Sequence, residues 1–149
     1  MTYQTSLFDK DPNEITNVSK IPQRSPFRYP GGKTWVVPKV RRWLNSLNDK
    51  PKYLLEPFCG GSIIGLTAAF ENLTDKVILV ELDDQVSSVW ETILNGNAEE
   101  LAKSIRSFDL TIKNVNAVLT ATPSNTQEKA FQTLLKNRIC INTKLCTNC

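Results

Sequence analysis

Histidine is absent from the 149 residues, and its absence removes a large share of enzyme chemistry. No Ser-His or Cys-His nucleophile can be assembled, and zinc sites that rely on imidazole are excluded. Cysteine is scarce. Of four, Cys146 and Cys149 form a single C-x-x-C at the extreme C-terminus. Zinc would need a second pair, which Cys59 and Cys140 do not form, so these thiols read as incidental. Long apolar runs are missing too: none approaches the ~20 residues of a membrane helix. The polar start "MTYQTSLFDKDPNEITNVSK" lacks the basic-then-apolar order of a secretory signal. The expected location is the cytoplasm, with the cysteines reduced and no membrane partner.

What is present suits one soluble globular domain, or part of a larger one, with 40% apolar and 22% charged residues. The net charge of +3 is unevenly distributed. Residues 1–50 carry nine Lys/Arg against four Asp/Glu, and residues 51–149 carry nine against eleven. Basic residues crowd at Arg24, Arg28, Lys33, Lys39, Arg41 and Arg42. Such crowding suits a polyanion, with Arg28, Lys39, Arg41 and Arg42 as candidate DNA contacts. A solvated helix face after a basic loop would carry the same charges.

Residues 1–25 are polar and aperiodic, which predicts a mobile tail. "RSPFRYPGGK" is a loop punctuated by proline and glycine. From Thr34, a candidate cap, Val36, Val37, Val40, Leu44 and Leu47 recur at helical spacing, and Pro38 is tolerable in a first turn. "KYLLEPF" reads as a buried strand and "SIIGLTAAFE" as a helix. "DKVILVELDD" reads as a second strand, apolar on both faces from Val77 to Val80 like an interior parallel strand. Residues 53–82 thus predict a strand–helix–strand crossover. Helical periodicity follows: Val86, Val89, Trp90, Ile93 and Leu94 make one face, stopped by Gly96. Asn97 with Glu100, and Asn125 with Glu128, read as capping boxes for two later helices. Residues 110–120 are expected to be helical between them. The fold class is therefore α/β, with two parallel strands evident and a helical segment after them.

Gly60 and Gly61 sit where the first strand turns into a helix, a turn whose N–H groups can receive a polar or anionic ligand group. Glu81 lies twenty-one residues beyond Gly60, at the end of the next strand, where an acid can bond both hydroxyls of a ribose. Glu56 at the first strand's end would repel phosphate and suits a ligand carrying positive charge. S-adenosylmethionine has a ribose, an ammonium group, a sulfonium centre and one carboxylate, and Lys33 could neutralise that carboxylate.

In their order and spacing, "FRYPGGK", "LLEPFCGGS" and "ILVELDD" resemble the N-terminal half of a Dam-type DNA adenine N6-methyltransferase. The match is specific over residues 27–84 and looser to "LLKNRICIN" near Asn142. The resemblance implies a Rossmann-like methyltransferase sheet, here incomplete, with S-adenosylmethionine as cofactor and double-stranded DNA as partner. Tyr29 and Lys33 would contact the methionine part. Glu56, Phe58, Gly60 and Gly61 would form the main loop, and Glu81 would hold the ribose. Asp83 or Asp84 would lie nearer the adenine. Core packing is the competing role for Phe58. Ser62 departs from the family's glycine, so a Cβ is expected to intrude near the ligand and Ser62→Gly to strengthen binding. On this basis residues 26–96 are the cofactor-binding region, residues 97–142 open the DNA-recognition region, and 143–149 are an off-family tail.

The family's acceptor site is an Asp-Pro-Pro-Tyr-like tetrapeptide that holds the flipped adenine's amino group, with an aromatic stacked on the base. No two of the eight prolines here are adjacent, and the one Asp-Pro, Asp11-Pro12, sits in the polar tail. The resemblance therefore implies a cofactor-binding half without a catalytic residue, ended prematurely or frameshifted, with a complementing chain as a possible source of the rest. The alternatives are a non-catalytic nucleic-acid-binding module built on the basic N-terminal face, and a remnant lacking a stable fold.

Overall fold

The computed structural model describes residues 18–28 and 32–142, with side chains through Ile139. Among these residues are six α-helices and one two-stranded parallel sheet, a mixed α/β arrangement. They divide into two compact units: one from residues up to 25 together with the chain to Val80, the other from residues 26–28 and everything from Glu81 onward.

In the first unit, a single 3-10 turn, Lys33–Val36, leads into helix α1, Val37–Asn45. Thr34 does not cap α1. It lies inside the turn, and Val36 holds the cap position without a side-chain bond. Pro38 falls in the first turn of α1, where its missing N–H has no helical partner to lose. Strand β1 (Tyr53–Pro57), helix α2 (Ile63–Phe70) and strand β2 (Lys76–Val80) form the expected crossover, with β1 parallel to β2 and Glu56 opposite Leu79. Leu54 and Val77 on the covered face of the sheet pack against a core of Val40, Leu44 and Ala68. A second cluster joins Ile21, Val37 and Ile63.

That second cluster shortens the expected tail. Ile21 is buried, and Arg24 donates to Thr67 and Glu71, so residues 18–25 are anchored; residues 1–17 lie outside the described chain. The expected interior strand is also corrected. Tyr53, Leu55, Ile78 and Val80 are exposed together, because helices cover one face of the sheet and each strand is an edge among the described residues.

The second unit comprises α3 (Asp84–Leu94), α4 (Ala98–Ser107), α5 (Ile112–Thr120) and α6 (Thr126–Asn142). Helix α3 packs along α6, α4 meets both, and α5 leans on α6. Its apolar residues therefore pack α3 with the later helices in this unit. Val89 and Ala130 are fully buried in this core, while Leu94, expected on the same face, is exposed. Phe27 stacks obliquely on Trp90, and Phe108 meets Phe131 edge-on.

The two expected capping boxes diverge. Asn125 accepts from the Glu128 N–H at 2.8 Å, and the Glu128 carboxylate accepts in return from the N–H and hydroxyl of Ser124. Those bonds hold the Glu128 carboxyl below its usual range, the Ser124 N–H contributing most. Asn97 makes no such bond, since its backbone (φ −96°, ψ 13°) is not the extended conformation that aims a cap side chain at the helix. No helix among the described residues is long and apolar enough to cross a membrane.

Candidate functional site

The turn from β1 into α2 departs from ordinary backbone at three places. Phe58 (φ 52°), Gly60 (φ 49°) and Ser62 (φ 47°) all adopt left-handed conformations. Glycine does so freely, but a side chain in that region costs about 1–2 kcal/mol. Two strained non-glycine residues in one five-residue turn are the kind of outlier that clusters at ligand sites. The loop is pinned at its centre, where the buried Cys59 donates its N–H to the Val80 carbonyl at the end of β2. Phe58 projects into solvent, 73% exposed, which removes core packing as its role.

Glu56 is the centre of the site. The last turn of the strand carries it under the start of α2, where it is 5% exposed. Its Oε2 accepts from the Gly65 N–H at 2.7 Å and from the Ser62 hydroxyl at 2.8 Å. Gly65 is the third residue of α2, so a carboxylate from the preceding strand does the work of an N-cap, and Ser62 at the cap position makes no such bond itself. Oε1 is different: it is buried without a hydrogen-bond partner. The Lys33 ammonium lies 4.0 Å from it and donates instead to the Phe58 carbonyl at 2.8 Å. A buried carboxylate oxygen without a donor is costly, and a donor brought by a ligand would remove that cost.

These facts change the meaning of Ser62. Its Cβ was expected to intrude on a ligand, but the side chain is fully buried and its hydroxyl holds Glu56. Ser62→Gly relieves about 1–2 kcal/mol of backbone strain but deletes a hydrogen bond to a buried charge worth about 1.5–3 kcal/mol. The expected result is a protein less stable by roughly 1 kcal/mol, with weaker ligand binding because Glu56 loses its support. Urea denaturation checks the first part. A higher midpoint in the variant would mean that strain outweighs the bond.

The structure thus brings Lys33, Glu56, Phe58, Gly60 and Gly61 together in the first unit. Tyr29 lies outside the described residues. Glu81 and Asp83 follow β2 directly and open the second unit. Glu81 Oε1 accepts from the N–H groups of Leu82 and Asp83 at 2.9 and 3.1 Å. Asp83 caps α3, accepting from Gln85 and Val86, and Asp84 pairs with Lys129 at 2.8 Å. The hydrogen bond from Lys129 holds the Asp84 carboxyl below its usual range.

The candidate DNA contacts separate. Arg41 grips Glu71 with two hydrogen bonds of 2.6 and 2.7 Å, an interaction that lowers the Glu71 carboxyl below its usual range and raises the guanidinium. Arg28 exchanges backbone hydrogen bonds with the Asn137 side chain on α6. Lys39 lies over the Trp35 ring, and Arg42 is exposed three residues further along α1. Sequence reasoning missed Gly65, although a glycine inside a helical pattern is itself a signal of close packing. It also missed Trp35, whose exposure no pattern announced.

No family model, no curated protein and no solved structure matches this chain.

Proposed function

We propose that the chain is the S-adenosylmethionine-binding part of a DNA adenine N6-methyltransferase with a Rossmann-like sheet, acting on double-stranded DNA together with a complementing chain or segment. The observation that carries the reading is the buried, unpartnered Oε1 of Glu56 beside the Lys33 ammonium. That pair fits a zwitterionic amino-acid end: Glu56 would receive the ammonium, and Lys33 would receive the carboxylate. Glu81 would hold the ribose from the position after β2. The cofactor would supply an activated methyl group, and these residues would bind and orient it.

Calorimetric titration of S-adenosylmethionine tests the assignment. Glu56→Gln keeps an acceptor for Gly65 and Ser62 but turns an amide donor toward the ammonium, so affinity should fall about ten- to hundredfold, the loss of one charged hydrogen bond. Glu81→Ala should lose a similar factor at the ribose. Parent-like affinity in Glu56→Gln, or no binding by the parent chain, would remove the reading.

A further inference from the structure

We infer that the cleft bounded by α4, α5 and α6 binds an organic cation, an ammonium or guanidinium group on an apolar stem. The cleft lies within the second unit and has a volume of about 660 Å³, the size of a small-molecule site. Phe108 and Phe131 form part of its wall, their ring centroids 5.2 Å apart and their planes edge-on, and Val118 and Pro123 extend the apolar lining. Aromatic faces attract a cation, while an apolar stem can lie along the rest of the wall.

Polar groups decide the sign of the occupant, because the wall spends its donors on itself and keeps its acceptors. Gln132 gives both hydrogens of its amide to carbonyls at the end of α5, Val118 at 2.8 Å and Ala121 at 2.9 Å, which leaves its oxygen to accept. The hydroxyls of Ser104 and Ser107 donate back to the Glu100 and Ser104 carbonyls. Thr122 and Gln127 can turn either way. The C-terminal turns of α4 and α5 both stand in the wall, so two helices present their negative ends. Among the described residues the Phe108 N–H closes no bond to the last carbonyls of α4, which stay open to a donor. The start of α6 is already capped by Asn125 and carries Glu128 in its first turn. Asp109 and Glu128 are the charged residues of the lining, with no Lys or Arg beside them. Arg106 and Lys129, close by in the chain, pair with Glu99 and Asp84 instead. The inference does not rest on the cofactor reading, because none of that reading's described residues lines this cleft.

Proton–nitrogen correlation NMR on the whole 149-residue chain reads the interaction, with agmatine as the probe and butanol and butyrate as its neutral and anionic counterparts. Agmatine should shift the amides of Ser107, Phe108 and Glu128 saturably, and added salt should weaken it. Butanol and butyrate should leave them in place. In an Asp109→Asn,Glu128→Gln double variant each amide oxygen can still accept from Asn114 and Ser124, so the fold keeps its bonds. Agmatine affinity should nevertheless fall about two- to thirtyfold, the range of two exposed ion pairs. Phe108→Leu, which keeps apolar bulk, should lose about two- to fivefold, one exposed cation–π contact. A blocked Ala-Arg-Ala peptide separates the sources. Binding as tight as that of agmatine assigns the site to a side chain of a protein partner, weaker binding assigns it to a free amine, and both uphold the inference. No saturable shift of the cleft amides with agmatine overturns it, as do equal shifts with butanol or butyrate and parent-like affinity in the double variant.

Discussion

Gly65→Ala is expected to destabilise the chain by roughly 2–5 kcal/mol, a large part of the ~5–15 kcal/mol that a domain of this size has. On an exposed helix the same change would stabilise by about 1 kcal/mol, because alanine favours the helix. Here the added Cβ would stand 2.7 Å from Glu56 Oε2, 2.9 Å from the Ser62 hydroxyl and 2.9 Å from Val77 Cγ1. None of the three can simply swing aside. The carboxylate oxygen is fixed by two hydrogen bonds, one of them from Gly65 itself, and Ser62 is tied to the same oxygen. Val77 belongs to the core beneath the helix. Relief therefore requires α2 to lift from the sheet, adding overpacking of about 1–3 kcal/mol to a weakened charged hydrogen bond of about 1.5–3 kcal/mol. Urea denaturation followed by circular dichroism measures the change. A variant as stable as the parent would mean that helix and strand do not approach this closely in solution. A Glu56→Ala,Gly65→Ala double variant, in which the carboxylate is gone, separates the contributions: if the carboxylate clash dominates, the two changes together cost less than their sum.

How much of this could be read from the chain follows from how local each signal is. β1, α2, β2 and the last helix announce themselves through periodicity and glycine punctuation within a few residues. The cap of α2 could not be read that way. Ser62 stands where a capping serine belongs, yet the acceptor for Gly65 comes from Glu56, nine residues earlier across a left-handed turn. Two Asn-x-x-Glu boxes looked alike, and backbone conformation decided between them: Asn125 bonds and Asn97 does not. The apolar run in β2 could not tell one covered face from two, because period-2 alternation vanishes when both sides are apolar. Charge density could not reveal that Arg41 had a partner thirty residues away in Glu71, so a residue that read as a DNA contact is held within the first unit. Glu56 itself was expected to be a ligand group from its place alone. The structure adds its division of labour, one oxygen for the helix and one without a partner.

The purified 149-residue chain is expected to transfer no methyl group to DNA, the largest effect predicted here. The reasoning starts from the acceptor, not the donor. An adenine amino group is a poor nucleophile because its lone pair is delocalised into the ring. A catalyst must take the base out of the stack, accept hydrogen bonds from the amino group and aim the lone pair. In the family proposed for this chain, adjacent prolines after an aspartate do that, and no two of the eight prolines here are adjacent. The residues gathered at the β1–α2 turn do not substitute for them. Of the Glu56 carboxylate, Oε2 is fixed under α2 and Oε1 is the oxygen proposed to receive the cofactor's ammonium, while Lys33 and the turn N–H groups are donors where an acceptor is required. Positioning of this kind is worth up to ~7–11 kcal/mol of barrier, and cofactor affinity does not replace it. Incubation with adenine-containing duplexes and cofactor tritiated in its methyl group decides the matter. Adding a chain that carries an Asp-Pro-Pro-Tyr motif should then raise incorporation from background, provided the two associate. Tritium at adenine amino groups with the 149-residue chain alone, at multiple turnovers, would show that these residues contain an acceptor site of a different construction. In that event the exposed Phe58 ring, held in a left-handed turn beside Glu56, would be the first candidate for the aromatic that stacks on the base.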